Sequence, residues 1–422
     1  MKKTVIKNII VLFVLPLAGL LLMIAVHLLP VKRIQTNINV SRNSLISEFE
    51  DELVVDDYPA SLSGSFTDCL MLEFAAYDSP HSLMEQVMGM YRPESSTNEN
   101  EWWPGASLID YLDGVSTSRE EEYSRYWHGY LVILKPLLSY TSFNTIRLLN
   151  ASLQLILLSL ILILCTKKRH SMLALSFAAS MPFMFFFSSF SSLSLSVCLY
   201  IMFIGILAET IFDEKLSQNN NYITYFIVIG AATSYFDFLT YPLVTFAFPM
   251  CVYLFIHREK ISEQFKKILC FGISWSLGYA FMWSSKWFLS FIFAGNGTVK
   301  DALETVKART GSASGGNRFA GYISVLKNNL SPFANRALLP IILLALIIIA
   351  VFAIKYGFKK YVKNLKESIP LLLMSLTPFI WWFVTSNHSE EHGVFTCRIF
   401  AVSVFAIMLF FLKAFDCTDK EK

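Results

Sequence analysis

Apolar runs of close to 20 residues recur along the whole chain, and no other feature restricts its fold so tightly. A helix needs about 20 such residues to cross the roughly 30 Å hydrocarbon core of a bilayer. The first run, Ile9 to Leu29, follows Met1, Lys2, Lys3 and Lys7. Further runs lie near 144–165, 171–189, 190–212, 222–241, 243–257, 268–293, 337–354, 369–386 and 394–413. The reading is an all-α polytopic membrane protein of ten transmembrane helices. Only 16% of the 422 residues are charged and 54% are hydrophobic, whereas soluble domains carry about 25% charged residues. A soluble enzyme and a disordered chain are both excluded. The first run ends His27-Leu28-Leu29-Pro30 without a small-residue cleavage site, so it is expected to stay as a helix and not to be removed as a signal peptide.

Charge sets the expected direction. Cytoplasmic connections gather Lys and Arg. With the N-terminus inside, the short inner segments hold 19 of the 35 basic residues. The loop from Val31 to Tyr126 holds only six, with 18 of the 32 acidic residues. Both termini are therefore expected in the cytoplasm, with the long acidic loop on the extracytoplasmic face. The chain divides into a first transmembrane helix (1–30), an extracytoplasmic loop with amphipathic helices (31–142) and transmembrane helices two to seven (143–294). A second extracytoplasmic loop (295–336) precedes helices eight to ten and a short cytoplasmic tail (337–422). The seven cysteines form no CxxC pair and no Cys/His ladder, so structural zinc and a disulfide framework are not expected.

Ionisable residues inside spans are costly and point to function. Asp237, Lys286, Arg147 and Arg398 all fall toward the outer ends of their helices, and His388 and His392 occupy the outer turn before the last one. Each has a plainer reading. Arg147 can snorkel to headgroups, Asp237 can cap a loop, and Lys286 shares a face with Trp275, Tyr279 and Trp283, a stripe suited to helix packing. Their common depth argues for one shared site. A mixed-charge cavity there suits an amphiphile with an anionic headgroup, its phosphate oxygens held by Lys286, Arg398 and Arg147 and its surroundings completed by Asp237, His128, Arg125, His388 and His392. A loop carboxylate would then act as general base. Asp68, at the boundary of the helical stretch Cys69 to Tyr77, is one candidate, with an ordinary N-cap as its plain alternative. Asp56 and Asp57 are the others. The aromatic stretch Tyr123 to Lys135 suits a helix lying on the membrane interface.

A first helix, a long acidic outer loop with interfacial helices and many following spans together resemble the GT-C glycosyltransferases, which take sugars from polyprenyl-phosphate donors. Asp68 before a loop helix resembles the catalytic aspartate of the protein O-mannosyltransferases and of the lipid A aminoarabinose transferase. The segments Phe236 to Pro242 and Asn387 to His392 look similar to bacterial envelope polysaccharide glycosyltransferases. Those families usually carry an Asp-Glu pair, and here Cys69 follows Asp68. The resemblance implies transfer of a sugar from a polyprenyl-phosphate donor to an extracytoplasmic glycan or lipid-linked acceptor, within the bilayer and without nucleic acid. No cofactor is demanded, although the loop carboxylates are compatible with a divalent metal. The alternatives are a transporter or flippase of a lipid-linked sugar, and a polymerase or ligase of lipid-linked glycans.

Overall fold

The computed structural model describes residues 2–48, 52–53, 62–63, 65–95, 104–115, 117–295, 297–312, 318–334, 339–356 and 365–416; Asp56 and Asp57 lie outside them. Helix α1 (Lys2–His27) leads into a segment holding α2 (Val31–Asn39), α3 (Arg42–Ser47), strands β1 (Glu52–Leu53) and β2 (Leu62–Ser63), α4 (Phe66–Ala76) and α5 (Leu83–Gly89). Strand β3 (Tyr91–Ser95), α6 (Pro104–Leu112), β4 (Thr117–Glu122) and α7 (Leu131–Leu138) complete it. Then come α8 (Phe143–Lys167), α9 (Ser171–Ser180), α10 (Ser196–Ser217), α11 (Asn221–Phe236), α12 (Leu243–Ile256) and α13 (Ile261–Phe293). Two shorter helices, α14 (Gly297–Arg309) and α15 (Arg318–Leu330), precede α16 (Leu339–Tyr356), α17 (Ile369–Val384), α18 (Ser386–Glu391), α19 (Gly393–Thr396) and α20 (Phe400–Asp416).

Five helical stretches among the described residues are long and apolar enough to cross a membrane: Thr4–His27, Phe143–Lys167, Ser196–Phe236, Lys366–Val384 and Gly393–Lys413. The third folds back on itself where Asn219 and Asn220 take positive φ, and Tyr225 then donates its hydroxyl to the Gly205 carbonyl across the hairpin. Leucine, isoleucine and phenylalanine side chains of α1, α8 and α13 stay exposed, while polar Asn150, Gln154, Glu209 and Thr233 are buried. Apolar side chains on the outside, with the polar groups of the helices turned inward, are the pattern of a bundle solvated by hydrocarbon.

Helix α12 is the axis of the bundle. Every residue from Leu243 to Phe255 is buried, as expected of a helix apolar on all sides. It is packed by α10, α20 and α17. Next to it, α11 and α13 make the closest crossing. A Cβ on Gly230 would lie 2.0 Å from the Trp275 carbonyl oxygen, and one on Gly278 would lie 2.1 Å from that of Ile227. Only glycine at both positions permits this approach.

One expectation is extended and one needs correction. The loop after α1 carries strands beside its helices: β3 and β4 pair antiparallel, with Arg92 opposite Glu121, and β1 pairs with β2. Nor does Tyr123 to Lys135 lie on a surface. Trp127 is fully buried and donates its indole N–H to the Met282 carbonyl, and Gly129 N–H bonds the Tyr235 carbonyl. The stretch plugs the bundle instead of coating it, because its aromatics find packing partners on α11 and α13.

Candidate functional site

Helices α9, α11 and α12 hold 10, 16 and 14 residues. At 1.5 Å per residue the longest spans about 24 Å, less than the roughly 30 Å of a bilayer core. Two short 3-10 helices, Met181–Met184 and Phe186–Phe190, and irregular chain around them and at 237–242 fill the shortfall at one end of the bundle. Such backbone survives away from water only where other groups satisfy it or where it lines a cavity. Here both conditions hold.

The 181–195 segment is stitched from several directions. Asn150 donates to the carbonyls of Ser189 and Phe190 at 2.8 and 3.1 Å, and Gln154 donates to Ser189 O at 3.2 Å. Arg398 donates to Met184 O at 3.2 Å, and the Tyr241 hydroxyl donates to Leu195 O. Asp68 supplies the acceptors. Its Oδ2 takes the N–H of Leu193 and its Oδ1 that of Ser194, both at 2.9 Å, with Ser192 Oγ at 3.4 Å.

Between this segment, the 237–242 turn, β3–β4 and the α18–α19 corner lies a cavity of about 420 Å³. Four arginines line it, Arg92, Arg125, Arg309 and Arg398, against two glutamates, Glu121 and Glu391. Arg92 is held by Glu73 at 3.2 Å and by Glu121 across the ribbon. Arg125 stacks on Tyr123, 4.3 Å from the ring centre, and pairs with Asp301 at 3.0 Å. Arg309, at the end of α14, bonds Glu391 at 2.7 Å and His392 Nε2 at 2.6 Å. A guanidinium only donates, so His392 Nε2 is an acceptor and the ring is neutral. Burial and then Arg309 push its pKa down to about 4. His388, also on the wall, donates from Nε2 to the Leu239 carbonyl at 2.8 Å. Burial, with His392 and Arg309 beside it, pushes His388 down to about 3. On the cavity lining itself four arginines face two carboxylates, while Glu73 and Asp301 behind it pair with Arg92 and Arg125. The guanidinium groups thus present N–H donors, held in place by carboxylates, that an anion can accept from.

The structure divides the residues that the sequence grouped together. Arg398, Arg125, His388 and His392 line the cavity; Lys286 and Arg147 do not. Lys286 is fully buried and donates to the Val87 and Met88 carbonyls, each at 2.9 Å. Those carbonyls end α5, where intrahelical donors run out and a cation is favoured. Lys286 is thus a helix cap, and the expectation that it holds the donor phosphate is corrected on that ground. Arg147 grips Glu48 through both terminal nitrogens, at 2.9 and 2.8 Å, and stands 3.9 Å from Asp68. It works behind the wall.

Asp68 is likewise behind the wall, while Phe66, Thr67 and Leu70 of the same helix face the cavity. It is neither a cap of its own helix nor open to a substrate, because the N–H groups ahead of α10 occupy both oxygens. Burial pushes its pKa up, opposed by Arg147 and those N–H donors. Asp237 accepts the Thr240 N–H at 3.0 Å, and its other oxygen takes the Thr240 hydroxyl. It shapes the turn whose Leu239 and Thr240 line the cavity, without lining it. His128 is buried in an aromatic cluster with Phe74 and Tyr123, bonded to the Tyr130 hydroxyl and the Tyr123 carbonyl, and is not among the residues that line the cavity.

Arg92, Arg309, Glu121 and Glu391 were not singled out from the sequence. Arg309 reaches the cavity from the second loop, a separation no local pattern reveals. Arg92 carried one usable signal: it is one of few cations in a strongly acidic segment. Among the described residues, no group of three His, Cys, Asp or Glu side chains is placed to hold a metal ion. Comparison with known proteins returns no match, whether to a family model, a curated protein or a solved structure.

Proposed function

We propose that this chain is an integral membrane glycosyltransferase of the GT-C kind, which moves a sugar from a polyprenyl-phosphate donor to an extracytoplasmic glycan or lipid-linked acceptor. The observation that carries the reading is the arginine-lined cavity set into one end of an apolar bundle. A free anion needs no such setting, whereas a lipid phosphate must be met at the depth where its tail lies. Arg125, Arg309 and Arg398 would hold the phosphate oxygens by charge-assisted bonds, and the same contacts strengthen as the phosphate leaves and gathers charge. In this reading the ten apolar segments are spans, both termini are cytoplasmic, and the cavity opens on the extracytoplasmic side of a bacterial plasma membrane. The donor carries its own activation in the sugar–phosphate bond, so no nucleotide is required at the site.

The test uses the purified chain in lipid nanodiscs with a panel of polyprenyl-phosphate hexoses and pentoses, a crude envelope glycan acceptor and no nucleotide sugar. Release of polyprenyl phosphate is the expected result. No release from any donor, with the protein folded, overturns the reading.

A further inference from the structure

His388 carries an atom that the binding of phosphate does not use. Its residue is 4% exposed and lines the cavity. Its Nε2 faces a carbonyl, which can only accept, so Nε2 carries the proton and Nδ1 of the neutral ring is a bare acceptor. Among the described residues that Nδ1 has no hydrogen-bond partner and is shut off from solvent. Buried polar atoms are nearly always paired, and an orphan calls for an explanation.

The carbonyl that orients the ring is itself held under strain. Leu239 has φ +69°, a left-handed conformation that is unfavourable for a non-glycine residue. The turn is clamped by Asp237 through the Thr240 N–H and hydroxyl. A carboxylate thus shapes a turn, the turn aims a carbonyl, and the carbonyl fixes one tautomer of a histidine on the cavity wall. That is the arrangement of a base and its orienting groups.

We infer that His388 Nδ1 is the general base of this cavity, accepting the proton of the acceptor hydroxyl as that oxygen attacks the sugar. The inference rests on the glycosyl-transfer reading above. In the step, the acceptor oxygen forms a bond to the anomeric carbon while the bond from that carbon to the phosphate oxygen breaks. The electron pair leaves with the phosphate, and the hydroxyl proton passes to Nδ1. Burial beside Arg309 keeps the resting ring unprotonated, as a base must be. A bound phosphate brings negative charge to the cavity and favours the imidazolium as it forms.

Two substitutions separate catalysis from architecture. His388→Gln retains an amide N–H near the Nε2 position, able to donate to Leu239 O, but has no basic nitrogen at Nδ1. His388→Ala removes both. Turnover and binding of polyprenyl phosphate are measured side by side in nanodiscs, with Asp56→Asn and Asp57→Asn as comparators. The expected result is normal binding by His388→Gln with turnover down roughly 10²- to 10⁴-fold, and partial rescue of His388→Ala by added imidazole. Turnover by His388→Gln within a few-fold of normal overturns the assignment, as does loss of binding together with turnover. Loss confined to Asp56→Asn or Asp57→Asn moves the base to the loop. Absence of turnover in the unmodified protein removes the glycosyl-transfer reading itself, a result distinct from all of these.

Discussion

The Asp68 carboxylate accepts the backbone N–H of Ser194 at 2.9 Å, and its other oxygen accepts that of Leu193 at the same distance. One side chain of a loop helix thereby secures the chain just ahead of α10. The cavity wall depends on that bond. Asp68→Asn puts an NH2 where one oxygen was, facing a backbone donor that then has no acceptor. A buried donor left unmade costs about 1–3 kcal/mol. Thermal unfolding in detergent is expected to show a lowered midpoint, with weaker phosphate binding as a consequence. An unchanged midpoint with abolished turnover would return Asp68 to a chemical role.

The arginines of the cavity differ from the lysine behind it. Arg309→Ala and Arg125→Ala each remove a contact to a charged ligand, worth about 1.5–3 kcal/mol, or roughly ten- to a hundredfold in affinity. Polyprenyl phosphate binding, followed by microscale thermophoresis at two salt concentrations, is expected to weaken to that extent. Equal affinity in both variants would take the phosphate out of this cavity.

Lys286→Met keeps the length of the side chain and removes the ammonium that ties Val87 O and Met88 O to α13. A lower unfolding midpoint with unchanged ligand affinity in the folded fraction is expected. Lys286→Arg should not restore it, because a planar fork does not fit where a compact ammonium meets two carbonyls. A selective loss of binding would instead place the lysine in the site.

His388 is buried, His392 is partly buried, and both are neutral, with pKa values pushed down to about 3 and about 4. The unfolded chain, with histidines near 6.5, binds more protons between that value and 4. Stability contributed by the neutral rings is therefore complete above pH 6.5 and is lost as pH falls toward 4. The unfolding midpoint should drop across this window, and the drop should be shallower in His392→Gln. Identical profiles for the two proteins would count against a neutral His392 in the folded protein.

The crossing of α11 and α13 leaves no room for a side chain. Gly278→Val would drive methyl groups into the Ile227 carbonyl, already 2.1 Å from a single added Cβ. The backbone cannot yield there without parting the helices. Loss of monodisperse protein on size-exclusion chromatography is expected, and a normal elution profile would show that the crossing tolerates separation.

Apolar run length and the scarcity of charge determined, from sequence alone, that this chain is a helical membrane protein, because hydrocarbon leaves a backbone few ways to satisfy its own polar groups. The sequence also placed Arg398, His388, His392 and Asp237 at one end of the bundle, since depth along a helix follows from counting residues. What it could not decide was which of those side chains face a common space. By residue count Lys286 and Arg398 both fall toward the outer ends of their helices, yet one caps α5 and the other lines the cavity. Depth is a one-dimensional quantity, whereas direction depends on how helices rotate and which irregular segments they meet. Arg309 and Arg92 enter from loops far apart in the chain, and only the packing of α14 and the β3–β4 ribbon against the bundle brings them together. The path of the chain at 181–195 was decided by tertiary structure too. The apolar run that starts at Leu173 does not continue as one α-helix to Phe190, and the backbone from Met184 to Leu195 is satisfied instead by Arg398, Asn150, Gln154, Asp68 and Tyr241.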